Sequence, residues 1–360
     1  MTLLNSFNFA RIIKGVCIGA NKDYVFFIRG KQIYKYNADC SKVLAVSRLK
    51  IKFLDSNSGM LRLLFRLLRY GITSGVCGEH SIFIWSKTRY YVVDIYTLEL
   101  IDYGDFENIN SPINVLPLVK AEAKSDMFLF GEYSSNPSKS EVGIFVWDTS
   151  NLNSICYIPA NEINHIHNIV NKNVNEYVVF CGDWDSGAAI WRLKLKEQYV
   201  EKIVSNEQEY RASVGIVAGD NLIYATDTTS ICNSLISFDL ANSDYQVVNN
   251  LPASSIYGAS YKGKLVFSTN LEVCLETKYH WNKWVTKKLP AVFATKTVHV
   301  YSWNGRFLSQ IFESKPSWLP YRLFQYPTFR VHLNDLVTIL SGYSLKKYDN
   351  KSIIIETSVR

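Results

Sequence analysis

The chain has 360 residues, 48% of them hydrophobic and 20% charged, with a formal net charge of +7. That apolar share excludes a mainly disordered chain. The mildly basic balance carries no long Lys/Arg run and no nucleic-acid motif, which argues against a nucleic-acid partner while suiting an acidic glycan or a lipid head-group surface.

Strand formers dominate: 23 Tyr, 19 Phe and 8 Trp stand against only nine Pro, and β-branched residues are many. The first fifteen residues, "MTLLNSFNFARIIKG", lack a basic start followed by an apolar run, so no signal peptide is expected. The first unit then reads as four strands: "GVCIG", "YVFFI", "IYKYN" and "KVLAVS". Residues 58–71, "SGMLRLLFRLLRYG", break the pattern with helical periodicity and predict a short helix over 58–70 in an insertion spanning 55–71. Arg62, Arg66 and Arg69 share one face of it. The plain reading is a covering helix with a solvated basic face. The sharper one is a surface that meets anionic lipid, and so touches a membrane peripherally, or that captures anionic substrate.

The pattern resumes with "SGVCG", "SIFIW", "YYVVD" and "LELIDYG", then "INVLP", "DMFLF" and "IFVWD". Next come "HIHNIV", "EYVVF" and "AAIWR", followed by "SVGIVA", "NLIYA", "LISFD" and "QVVNN". The last units are "YGASY", "KLVFS" and "HVYSWN", with a long loop insertion at 271–296, and then "LVTIL" with "SLKKYD". One strand of each unit closes on Asp or Asn: Asn37, Asp94, Asp148, Asp239, Asn304 and Asp349, with Arg192 the exception. Successive marks are 44 to 65 residues apart. Four antiparallel strands repeated at such a period specify a β-propeller. The chain is therefore read as all-β, a single propeller domain over 1–360 with seven four-stranded blades, six being the second choice. Inner strands are expected to begin near Ile13, Gly75, Ile113, His165, Ala212, Tyr257 and Leu323. No stretch approaches the roughly 20 apolar residues of a membrane span. Seven scattered cysteines, odd in number and never spaced CxxC, argue against a disulfide framework or zinc knuckle and for a reducing, cytoplasmic setting.

In a blade that starts with its innermost strand, the loop between strands two and three shares a face with the entry to strand one. Four such loops begin with an acid near the strand end: Glu132, Asp183, Asp227 and Glu272. The "GDWDSG" tip adds Trp184 and Asp185. Entries on the same face carry Arg69, His165, His167, Arg211, Tyr257 and Arg322. His165 and His167 are two apart in a strand and point together. These groups are expected around one cavity on the central axis, where a sugar or small molecule binds. Turn chemistry is the competing account of any single acid. No cofactor is expected; a metal at His165 and His167 is the weaker reading, since two histidines do not make a motif.

In order along the chain, "FGEYSSNPSKSEVGIFVWD", "HIHNIV", "CGDWDSGAAIW", "EQEYRA", "YATDTTSICNSLISFD", "VFSTNLE" and "LFQYPTFR" resemble the sialidase-like, BNR-type propeller proteins often encoded with bacterial surface-polysaccharide genes. The resemblance covers about residues 62–349. It implies a propeller acting on glycans but no particular reaction. The Arg triad and Tyr–Glu pair of true sialidases have no clear counterpart, and "SWNGRF" keeps only part of an Asp-box, so sialic acid is not implied.

Two functions compete. The first cleaves a glycosidic bond of an acidic bacterial polysaccharide or its intermediates. As a hydrolase it would use Glu132 and Asp183 as the carboxyl pair, with Tyr133 or His167 orienting or relaying a proton. As a lyase it would use Arg211 to neutralise a uronate while His165 or Tyr133 takes the α-proton. The alternative is a non-catalytic glycan-binding or scaffold propeller in polysaccharide assembly, with Trp184 and Tyr257 as stacking platforms. Neither sugar nor oligomeric state is legible.

Overall fold

The computed structural model describes residues 9–50, 74–106, 109–120, 125–149, 151–182, 187–274 and 285–357. They form seven four-stranded antiparallel sheets. The first strand of each sheet touches the first strand of the next, and the last of these inner strands returns to the first, so the sheets close a ring around a channel. This is the seven-blade propeller expected above. The inner strands are Val16–Ala20, Ser74–Cys77, Leu116–Lys120, His165–Asn171, Ala212–Ala218, Ser255–Tyr261 and Thr328–Leu333, for blades one to seven. Each begins within five residues of its expected start.

The second strands are buried almost without break, as in Ser81–Trp85 and Glu176–Gly182. A sheet packed between neighbouring sheets has no solvent face at that radius, so both sides of the strand are apolar. Outer strands alternate, as in Leu100–Asp105, because only one side still meets a neighbour. Between blades two and three the packing is aromatic: Phe83, Phe128, Phe130 and Trp147 form one cluster, with Phe83 and Phe128 ring centroids 5.1 Å apart.

The recurring Asp or Asn has a local cause. Asp94 Oδ1 accepts from the Tyr96 and Thr97 amides at 2.8 and 2.7 Å. Asp239 accepts from Ala241 and Asn242, and Asn304 from Arg306 and Phe307. The side chain closes the turn from third to fourth strand by holding amides two and three residues on.

Blade seven departs from the expectation. "SLKKYD" lies in turns, and Asp349 accepts from the Ser344 amide at 2.9 Å. The third strand is Lys351–Glu356, where Ser352–Ile355 are all buried. Two adjacent lysines cannot occupy a strand closed on both sides, whereas "SIII" can. The fourth strand comes from the other end of the chain: Phe9–Lys14 pairs antiparallel with Lys351–Glu356, Ile12 opposite Ile353. Ring closure thus joins the two ends in one sheet.

The 58–70 helix with Arg62, Arg66 and Arg69, and residues 275–284 of the long insertion, lie outside the described residues. Among the described residues, helical turns occur at Gln208–Tyr210 and Tyr321–Phe324, and no helix is long and apolar enough to cross a membrane.

Candidate functional site

The entry of the blade-four inner strand forms a compact polar cluster. His165 and His167 are 7% and 2% exposed. A bulge between Ile166 and Asn168 interrupts the register beside them. His165 Nδ1 is 2.9 Å from the Ser134 carbonyl, and His167 Nδ1 is 3.0 Å from the Ala212 carbonyl. A carbonyl only accepts, so both Nδ1 atoms donate. The two Nε2 atoms then face each other at 3.0 Å, a contact that one proton between them turns into a hydrogen bond. A second proton has no acceptor. Burial, the neighbouring His165 and the Arg211 guanidinium push the His167 pKa well below its usual 6.5, against the hydrogen bond to Ala212. His167 Nε2 is therefore the acceptor whenever a proton lies between the rings, and the Asp227 carboxylate lies 3.8 Å from His167 Nδ1.

Tyr133 covers this pair from outside. It is 38% exposed, and its ring centroid lies 4.4 Å from that of His165. On the far side Asp227, 3% exposed, accepts from Ser213 Oγ at 3.3 Å, and its amide bonds the Arg211 carbonyl at 2.8 Å. Arg211 is 8% exposed. The Asp227 loop is held by Asn233, whose Oδ1 accepts from the Thr228 amide and whose Nδ2 donates to the Thr228 carbonyl. At Gly182 an added Cβ would lie 1.9 Å from His167 Nε2. The glycine opening "GDWDSG" is thus what lets the second imidazole reach the first.

Glu132 is half-buried beside this cluster with both oxygens occupied. Oε1 accepts from the Asn110 amide at 2.9 Å and its side chain at 3.2 Å, and Oε2 accepts from the Gly143 amide at 2.8 Å. The carboxylate ties the crossover from blade two to the second-to-third loop of blade three.

Tyr133, His165, His167, Arg211 and Asp227 are thus brought together at the junction of blades three to five, with Glu132 adjoining. Asp183, Trp184, Asp185 and Arg69 lie outside the described residues. Glu272, on blade six, accepts from the Asn270 side chain, and Arg322 lies in the turn Tyr321–Phe324 before blade seven. Among the described residues no group of three or more His, Cys, Asp or Glu is placed to hold a metal ion.

The central channel is a separate cavity of about 650 Å³. Tyr257 lines it; Glu132, Tyr133, His165, His167, Arg211 and Asp227 do not. Its wall also holds Arg330 and His332 from the blade-seven inner strand, with Asn114 and Asn168. Sequence reading passed over Arg330. The available signal was "TFRVHL", a cation and a histidine two residues apart, alternating with Phe329, Val331 and Leu333 in an inner strand.

No protein-family model matches the chain, and no curated protein matches it. Solved structures do. A chain of the mitotic checkpoint complex aligns with a TM-score of 0.58 at 8% identity, covering 99% of this chain and 94% of that one. The Myceliophteria thermophila Cps50 (Swd1) β-propeller domain aligns with a TM-score of 0.55 at 10% identity, covering 98% and 100%. BamB from Moraxella catarrhalis aligns at 9% identity, covering 96% and 85%, with a TM-score of 0.47. At these identities the likeness is one of fold: the chain is an all-β propeller of seven four-stranded blades.

Proposed function

We propose that this chain is a glycan-binding propeller. In this reading it takes an acidic sugar at the Tyr133–His165 face and does not cleave it. The observation that carries the reading is the state of Glu132. A hydrolase needs a carboxyl oxygen aimed at the leaving group, and both Glu132 oxygens are turned to the protein's own N–H groups. What remains exposed is Tyr133, 38% of it, backed by the His165 imidazole at a ring-centroid distance of 4.4 Å. An aromatic face with the buried Arg211 guanidinium in the same cluster suits a sugar ring bearing a carboxylate. The resemblance to sialidase-like propellers supports a glycan as the ligand class. The test is a glycan array read with the purified chain, followed by calorimetry on acidic and neutral oligosaccharides. Retention of acidic glycans, weakened about tenfold by Tyr133→Ala, is expected. Equal retention of neutral ones, or indifference to Tyr133→Ala, would contradict the reading.

A second reading is favoured by one observation, the continuous line from exposed Tyr133 through His165 and His167 to buried Asp227. In an eliminating enzyme the proton α to a uronate carboxylate passes to Tyr133 as its phenolate or to neutral His165. The C–O bond to the leaving sugar breaks as a C=C bond forms, the leaving oxygen takes a proton from solvent water, and Arg211 offsets the carboxylate charge.

A further inference from the structure

Arg330 is 7% exposed and lines the central channel. Its guanidinium lies 4.4 Å from the Tyr257 ring centroid and 5.5 Å from that of Tyr343. Nη2 makes one long contact, 3.5 Å, to the Tyr257 hydroxyl, while Nε is buried with no hydrogen-bond partner. Among the described residues no carboxylate pairs with it. The tyrosine rings offset part of the cost of burying a cation. A guanidinium still presents five N–H donors in a fork made for an oxyanion, and a buried charge is normally paired.

The rest of the channel agrees. Acids in its lining, Asp23 and Glu79, lie in the hairpins between first and second strands, Asn21–Tyr24 and Gly78–Ser81, and not on the inner strands. His332, two residues along the same strand, bonds the Cys17 backbone, and its pKa is pulled to about 4, first by desolvation and then by the Arg330 charge. It adds no second cation at neutral pH. Among the described residues, Arg330 is therefore the one permanent charge that the inner strands bring to the cavity lining. A volume of about 650 Å³ is that of a small-molecule site.

We propose that the central channel is a binding site for a small oxyanion, a carboxylate or phosphate ester, held by the Arg330 fork with Tyr257 and Tyr343 against it. This site belongs to blades six and seven and goes beyond the glycan face at Tyr133. The test titrates inorganic phosphate and sodium succinate, separately and at constant ionic strength, into the full chain by calorimetry, with glucose as the neutral control. Saturable binding of at least one anion and none of glucose is expected, weakened at least about thirtyfold in Arg330→Gln. Tyr133→Ala should leave it unchanged, which separates this site from the glycan face. No saturable binding of either anion, or equal binding by Arg330→Gln, would overturn the proposal. A second measurement needs no variant: the His332 ring resonances of the unaltered chain should move with the bound anion and not with glucose. Anion binding that leaves them fixed would overturn the assignment equally.

Discussion

Single residues hold this molecule's polar features in place by simple donor and acceptor logic. The Nε2 atoms of His165 and His167 face each other at 3.0 Å because each Nδ1 is committed to a carbonyl. Gly182→Ala would place a methyl group where the His167 ring stands. It is expected to separate the imidazoles and to shift both ring spectra in a histidine NMR titration while the sheets persist. Unchanged spectra would mean that the ring has room to turn. His332 supplies a pH dependence. Its folded pKa of about 4 lies below the usual 6.5, so the unfolded chain binds more protons between those values. Its contribution is whole above about pH 6.5 and is lost as pH falls toward 4, to a limit of about 3 kcal/mol. Denaturant titrations across that range should show the loss, and His332→Asn should flatten it. An identical slope in the variant would place the effect on other groups. The sequence made His165, His167, Tyr133, Arg211 and Asp227 legible as neighbours because strand alternation and blade order are local rules. It did not make Arg330 legible, since a charge inside a strand is readable as functional only once the strand is known to face a channel.

Elements are joined by a few buried side chains between blades. Asp126, 2% exposed, reaches from blade three to the blade-two hairpin. Oδ1 accepts from the Glu79 amide, and Oδ2 accepts from the amides of His80 and Ser81 and from Ser81 Oγ. Asp126→Ala strands several donors and is expected to cost about 2–4 kcal/mol, read as a lower denaturation midpoint. A change under about 0.5 kcal/mol would show that water replaces the carboxylate. The closing strand makes a second expectation. Removing residues 1–14 leaves Lys351–Glu356 as an open edge beside its other partner, and open edges recruit other chains. The truncated chain should aggregate or lose its sharp unfolding transition; a monomer of unchanged midpoint would mean that closure contributes little. This closure was missing from the sequence reading because its two strands lie at opposite ends of the chain, and no periodicity links them. The "SLKKYD" misreading has a related cause: Asp349 closes a turn, as the other marks do, but one that precedes its strand.

At the scale of the whole molecule, seven blades set two polar sites on one ring. One is the Tyr133–His165–His167 cluster at the junction of blades three to five, and the other is the Arg330 wall of the channel. The fold was legible almost entirely, because a repeated strand pattern ending in turn-closing Asp or Asn leaves few other architectures. Function was not legible in the same way, since propellers host unrelated activities and the site alone decides. The central claim is that the Tyr133 face binds acidic glycan without breaking it. Its most direct test is prolonged incubation of the purified chain with an acidic bacterial surface polysaccharide that it retains, following new reducing ends and the ultraviolet absorbance of unsaturated uronate together. Retention with neither signal is the predicted result. Reducing ends without absorbance would establish hydrolysis despite the occupied Glu132, both together would establish elimination through the Tyr133–His165 line, and either would contradict the account.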